Sequence, residues 1–159
     1  MKKLILVILI VITLSACSSI NQQNEISKAF GIDVSKASEV SNYNTHSGNG
    51  DGTTCIVLNS KNQDILKQIE ENSDWKQFPL DETTKTIVYG YEDKTSSVGS
   101  FLKNDKGENL VPEIENGYYI LIDRQSNQND NILNRGSFNF TVGIYNTDDN
   151  NLYFCKLDT

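Results

Sequence analysis

Residues whose types and spacing could do chemistry are few in this chain. The densest group is Leu14-Ser15-Ala16-Cys17, small residues leading into a cysteine directly after an apolar run. Such an order suits a lipoprotein signal peptidase, with the cysteine thiol accepting a diacylglyceryl group. Lys2 and Lys3 supply the positive start, and Leu4 to Leu14, interrupted only by Thr13, supply the apolar stretch. At about eleven residues it falls well short of the roughly 20 that cross a hydrocarbon core, so it reads as a cleaved leader rather than an uncleaved anchor. Residues 1–16 are thus expected to be a lipoprotein signal peptide and Cys17 the lipidation site. Two or three acyl chains such as palmitate hold firmly, since each buried methylene contributes about 0.8 kcal/mol and one chain alone is marginal.

The next candidate is the loop from His46 to Gly52, which carries the chain's single histidine and three glycines at alternate positions. Its backbone N–H groups could cradle an anion, or Asn44, Asn49 and Asp51 could bind a cation; a plain connector is the simpler reading. A calcium loop of the EF-hand type fails, because its twelfth position is Leu58 rather than a bidentate Glu. His46 with Cys55 is the one conceivable thiol–imidazole pair. Cys55 lies inside Thr-Cys-Ile-Val-Leu, a buried-strand pattern unlike the exposed, electropositive setting a reactive thiolate needs. One histidine and two distant cysteines are thin support for zinc, and no Gly-x-Ser-x-Gly elbow is present. Asp123-Arg124, closing an apolar run, is a candidate ligand contact or a local ion pair. With 21 acidic residues, a pair of carboxylates remains open as hydrolytic machinery. No catalytic set, metal site or cofactor site is recognised, and the candidate ligand-binding residues are His46, Asp51, Asp123 and Arg124.

Elements must position these groups. Glu25 to Phe30 suggests a short helix, and residues 41–52 read as loop because turn formers dominate. Thr53 to Leu58 is β-branched and apolar, hence a strand. Lys61 to Asn72 is the clearest helix, with Ile65, Leu66 and Ile69 at helical spacing. Asp81 to Gly90 mixes helix and strand signals and is assigned to a short helix, whereas 92–116 reads as loop-rich. Tyr118 to Asp123 suits a strand buried on both faces. Phe138 to Tyr145 alternates apolar and polar, a strand with one face in the core, and Leu152 to Leu157 returns as its hairpin partner. The expected fold is α+β, an antiparallel sheet of about four to five strands packed by the 61–72 helix, with a C-terminal β-hairpin. Cys55 and Cys155 each lie in a strand-like run. Outside the cytoplasm they are candidates for a disulfide closing about 100 residues, or for buried free thiols.

Removing residues 1–16 from 159 leaves 143, a one-domain length. The expected organisation is signal peptide 1–16, lipidated Cys17 and tether 17–29, and one α+β domain 30–159. Losing Lys2 and Lys3 takes the net charge from −7 to −9. That sign argues against nucleic acid and anionic polymers and favours a basic partner, although it also merely keeps an exported domain soluble. Asn makes up about one residue in eight, a bias consistent with an AT-rich genome.

Several segments carry a resemblance. His46 with Gly50-Asp51-Gly52-Thr53-Thr54, Trp75-Lys76-Gln77-Phe78-Pro79-Leu80, Asn116-Gly117-Tyr118-Tyr119, Asp123-Arg124, Phe138-Asn139-Phe140-Thr141 and Leu152 to Thr159 resemble a family of small, uncharacterised bacterial lipoproteins, best represented in low-GC Gram-positive species. The resemblance spans about residues 30 to 159. It implies location and fold and transfers no active site. The expectation is a lipid-anchored module on the extracytoplasmic face of the cell membrane that binds a protein or peptide partner without catalysis. A cell-envelope hydrolase using carboxylates, and a protective lipoprotein neutralising a cationic toxin or peptide, are the alternatives.

Overall fold

The computed structural model describes residues 21–60, 64–125 and 131–159. The leader, Cys17 and the start of the helix expected from Lys61 lie outside them. The chain divides into two compact units, one ending at Lys36 and the other running from Ala37 to Thr159.

In the first unit a helix covers residues 21–30 (α1), so helix extends into the stretch expected as tether. Ile26 and Phe30, four apart and hence on one face, are buried. The chain turns at Gly31, where the Ser27 carbonyl accepts from Ile32 N at 3.3 Å. The Ser27 hydroxyl accepts from Val34 N at 3.1 Å.

The second unit is α+β. Strands β1 (Ser38–Asn44), β2 (Gly52–Asn59), β3 (Lys76–Gln77), β6 (Gly117–Asp123), β7 (Asn139–Asn146) and β8 (Asn151–Asp158) form one sheet in the order β1-β2-β8-β7-β6-β3. Every pairing in it is antiparallel. Strands β4 (Gly90–Glu92) and β5 (Ser97–Gly99) make a separate ribbon. The helices are α2 (Asp64–Glu71) and α3 (Glu82–Tyr89), with a 3-10 turn at Ile132–Asn134.

The expected C-terminal hairpin forms as β7–β8 and takes the centre of the sheet, the place expected for Tyr118 to Asp123, and Asn146 pairs with Asn151 across the turn. Asp and Asn side chains close that turn: Asn146 Oδ1 accepts from Asp148 N at 2.9 Å and Asp149 Oδ1 from Asn151 N at 3.0 Å. Cys55 stands directly opposite Cys155, and their sulfurs form a disulfide spanning 100 residues.

Three expectations need correction. The sheet has six strands, because polar Ser38–Asn44 forms an edge strand where a Ser-rich stretch and loop were expected. More than one helix packs the unit: α2 buries Ile65 and Ile69, as the 61–72 helix was expected to, and α3 enters a core cluster through Ile87 and Val88. The last two meet Phe140, Val142, Ile144, Tyr153 and Leu157 on one sheet face. Finally, β7 is buried along both faces, since Thr141 and Tyr145 are as inaccessible as Val142 and Ile144. The stretch 92–116 also holds more order than expected, including β5 and the Lys103–Asn109 bridge.

Candidate functional site

Register places the polar groups. Successive strand residues point to opposite faces, so Thr54, Lys156 and Thr141, aligned across β2, β8 and β7, share the face opposite the disulfide. Asp158, two residues beyond Lys156 on β8, shares that face. His46 Nε2 lies 3.0 Å from Asp158 Oδ2, Arg124 Nη2 donates to Asp158 Oδ1 at 2.6 Å, and Lys156 Nζ is 3.7 Å from Oδ2. Arg124 also donates to Thr141 Oγ1 and to the carbonyls of Phe140 and Leu157. Burial alone would raise the Asp158 carboxyl, but the His46 hydrogen bond and the Arg124 and Lys156 charges hold it below the ordinary carboxylate value.

Of the residues singled out in sequence, His46 and Arg124 therefore meet, through Asp158. Asp51 stays within its own loop, accepting from Asn49 Nδ2 at 2.8 Å. Asp123, one residue before Arg124, turns to the other face and pairs with Arg135 at 2.7 Å. Cys55 faces the core, away from His46, so no thiol–imidazole pair forms. Gly52 lets the loop close: a Cβ there would lie 2.5 Å from His46 Cα, and its φ is +153°. Charges satisfied in this way tie a loop to two strands and leave little for a ligand.

The open ground lies elsewhere. A cleft of about 440 Å³ is lined by Glu82, Lys85 and Thr86 of α3, Tyr91 of β4, and Asn131 and Leu133. That volume falls within the roughly 300–1,000 Å³ usual for small-ligand sites. Asp81 builds its helical wall by capping α3, accepting from Thr84 N at 2.8 Å. Gly90 ends the helix at φ +86° and starts the ribbon; a Cβ there would meet Val98 O at 2.7 Å. Tyr91 stands opposite Val98. Both are exposed, Tyr91 by 49% and Val98 by 38%. The Tyr91 hydroxyl donates to the Asp93 carboxylate, which also accepts from Thr95 N and Ser96 N in the ribbon's turn. Those bonds, the Tyr91 one foremost, depress the Asp93 carboxyl strongly and fix the ring's direction. A second cleft of about 200 Å³, formed by Phe78, Pro79, Leu80, Tyr89 and Ile114, shares Lys85 with the first.

Sequence reasoning missed Asp158, Tyr91 and Asn131. Hairpin register could have found Asp158, since it pairs with Asn139 close to Thr141. Tyr91 and Asn131, 40 residues apart and without a motif, gave no such signal. Among the described residues no group of three or more His, Cys, Asp or Glu side chains could hold a metal ion.

Residues 1–18 match the prokaryotic membrane lipoprotein lipid attachment site. No curated protein and no solved structure matches the chain. No described helix is long and apolar enough to cross a membrane. The attachment site marks the chain as a bacterial lipoprotein associated with the membrane through lipid.

Proposed function

We propose that the chain is a non-enzymatic binding module, held by lipid on Cys17 at the extracytoplasmic face of the cell membrane, with the cleft beside α3 as its ligand site. The observation that carries this reading is a contrast. The groups best suited to proton transfer, His46 and Asp158, are bound to each other and to Arg124, whereas the cleft is open and mixed in character. The direction of the carboxylate pKa shifts supports it as well. Asp33, Asp81, Asp93 and Asp158 are all lowered, the behaviour of hydrogen-bonded or ion-paired groups rather than of a general acid poised near neutrality. The partner is a small molecule, a peptide or an extracytoplasmic protein, and the net acidity keeps cationic peptides in view.

Thermal melts of the full lipidated chain, in a detergent without a sugar headgroup, test the reading against Ca²⁺, Zn²⁺, wall glycans, wall peptides and cationic peptides. A ligand at 100 times its Kd adds about 2.7 kcal/mol, which for this size moves the midpoint by several degrees. A shift from one class supports a binding module. No shift from any class, with no envelope protein retained on the immobilised chain, overturns it. Metabolic labelling with palmitate tests the anchor: the wild type is expected to incorporate label and Cys17→Ser to lose it, and label retained in the variant would refute lipidation at Cys17.

A further inference from the structure

We propose that the cleft beside α3 takes a neutral saccharide chain, with the Tyr91 ring as the surface on which one sugar face stacks. This rests on the reading of the cleft as a ligand site and adds the ligand's chemical class.

The lining decides between classes. A divalent cation needs several hard oxygen ligands converging, and no metal-holding group of acidic side chains is found among the described residues. A simple anion is poorly served, because Glu82 shares the wall with Lys85 and Asp93 lies next to the Tyr91 hydroxyl. An apolar ligand would cover the Glu82 carboxylate and the Lys85 ammonium without offering either a partner, at a cost for each charged group taken out of water. An extended peptide pairing by its backbone is poorly served, because the one strand at the cleft, β4, offers an edge of only three residues.

What remains is a neutral ligand with many hydroxyl or amide groups and one weakly polar face. Glu82 offers carboxylate acceptors, Lys85 ammonium donors and Asn131 the donors of its amide nitrogen, its oxygen accepting from Leu133 N; Thr86 Oγ1, which donates to the Glu82 carbonyl, can still accept. Tyr91 contributes an aromatic face. Its hydroxyl is already occupied by Asp93, so the ring serves as a positioned surface rather than a hydrogen-bond donor. Val98, directly across the ribbon, continues the exposed apolar surface past Tyr91, which suits a chain longer than a single sugar.

The experiment is calorimetric titration of the full lipidated chain, in a detergent without a sugar headgroup, with tetramers of N-acetylglucosamine and of glucose. Saturable binding of at least one tetramer is expected, weakened at least tenfold in Tyr91→Ala and changed less than threefold in Tyr91→Phe. Val98→Thr should weaken tetramer binding more than monosaccharide binding. Because Tyr91 is half exposed, the Ala variant should melt with the wild type, and matching melts are required before its loss of binding counts. Should Tyr91→Ala destabilise the fold, Glu82→Gln and Asn131→Ala take its place, and loss of binding in either supports the site. Absence of saturable binding by both tetramers at 10 mM overturns the proposal, as does binding unaffected by Tyr91→Ala, Val98→Thr, Glu82→Gln and Asn131→Ala. If the sugars fail while a peptide or protein still shifts the melt, the ligand class is wrong and the binding module stands. If nothing shifts it and the immobilised chain retains no envelope protein, both fall.

Discussion

Asp158 gathers His46, Arg124 and Lys156 around one carboxylate, with its own side chain only 15% exposed. Asp158→Ala leaves the Arg124 and His46 donors without their shared acceptor, and a charged hydrogen bond contributes about 1.5–3 kcal/mol. The variant should lose about 2 kcal/mol in urea unfolding at pH 7. The pH dependence has a definite sign. A carboxyl lowered in the fold adds stability that is complete above its unfolded value near 4 and fades as pH falls through the lower folded value. The gap between wild type and Asp158→Ala should therefore shrink from pH 7 towards pH 2; a constant gap would mean that the charge is not what stabilises. Thr84 has the opposite character, for its Oγ1 is buried without a hydrogen-bond partner. Thr84→Val removes the stranded hydroxyl at nearly constant volume and should add about 1 kcal/mol, raising Tm by about 3 °C. At this scale the sequence was half informative. A lone histidine and a strand-end arginine are conspicuous by type, but Asp158 is one of 21 acidic residues and only register distinguishes it.

Among elements, α3 links the core to the cleft, with Ile87 and Val88 inward and Glu82, Lys85 and Thr86 lining the opening. Its start depends on Asp81, which caps Thr84 N, accepts from Lys76 Nζ at 3.1 Å, and exchanges contacts with the Tyr119 hydroxyl. Asp81→Ala should cost about 1 kcal/mol, the usual worth of an N-cap. Hydrogen exchange checks it: amides of the first turn of α3 should lose protection before those of β7, and uniform loss would refute a local cap. Strands β7 and β8 were legible because alternation and an Asp-Asn turn agree. Strand β1 was not, since an exposed edge carries no apolar pattern: six of its seven residues are exposed, and it has a register shift between Glu39 and Ser41. The short helix from Asp81 was readable because an Asp at the cap outweighs the β-branched Thr-Ile-Val that follows. The ribbon was invisible, as two three-residue strands fall below any periodicity.

For the whole molecule, a lipid attachment site at the N-terminus marks an acidic, membrane-associated lipoprotein. The disulfide gives such a protein a particular robustness. Cys55 lies early in the second unit and Cys155 almost at its end, so the bond encloses most of the unit in one covalent ring. A protease that cuts once inside the ring opens it without shedding either piece, because both remain joined through sulfur to the N-terminal end that carries the lipid attachment site. Limited proteolysis should therefore yield a nicked species that migrates as one chain on a non-reducing gel and as two after thiol treatment. Fragments released without reductant would show that the ring is not closed. A nicked lipoprotein of this kind stays on its membrane with both pieces attached, so a single cut is tolerated in place rather than shed.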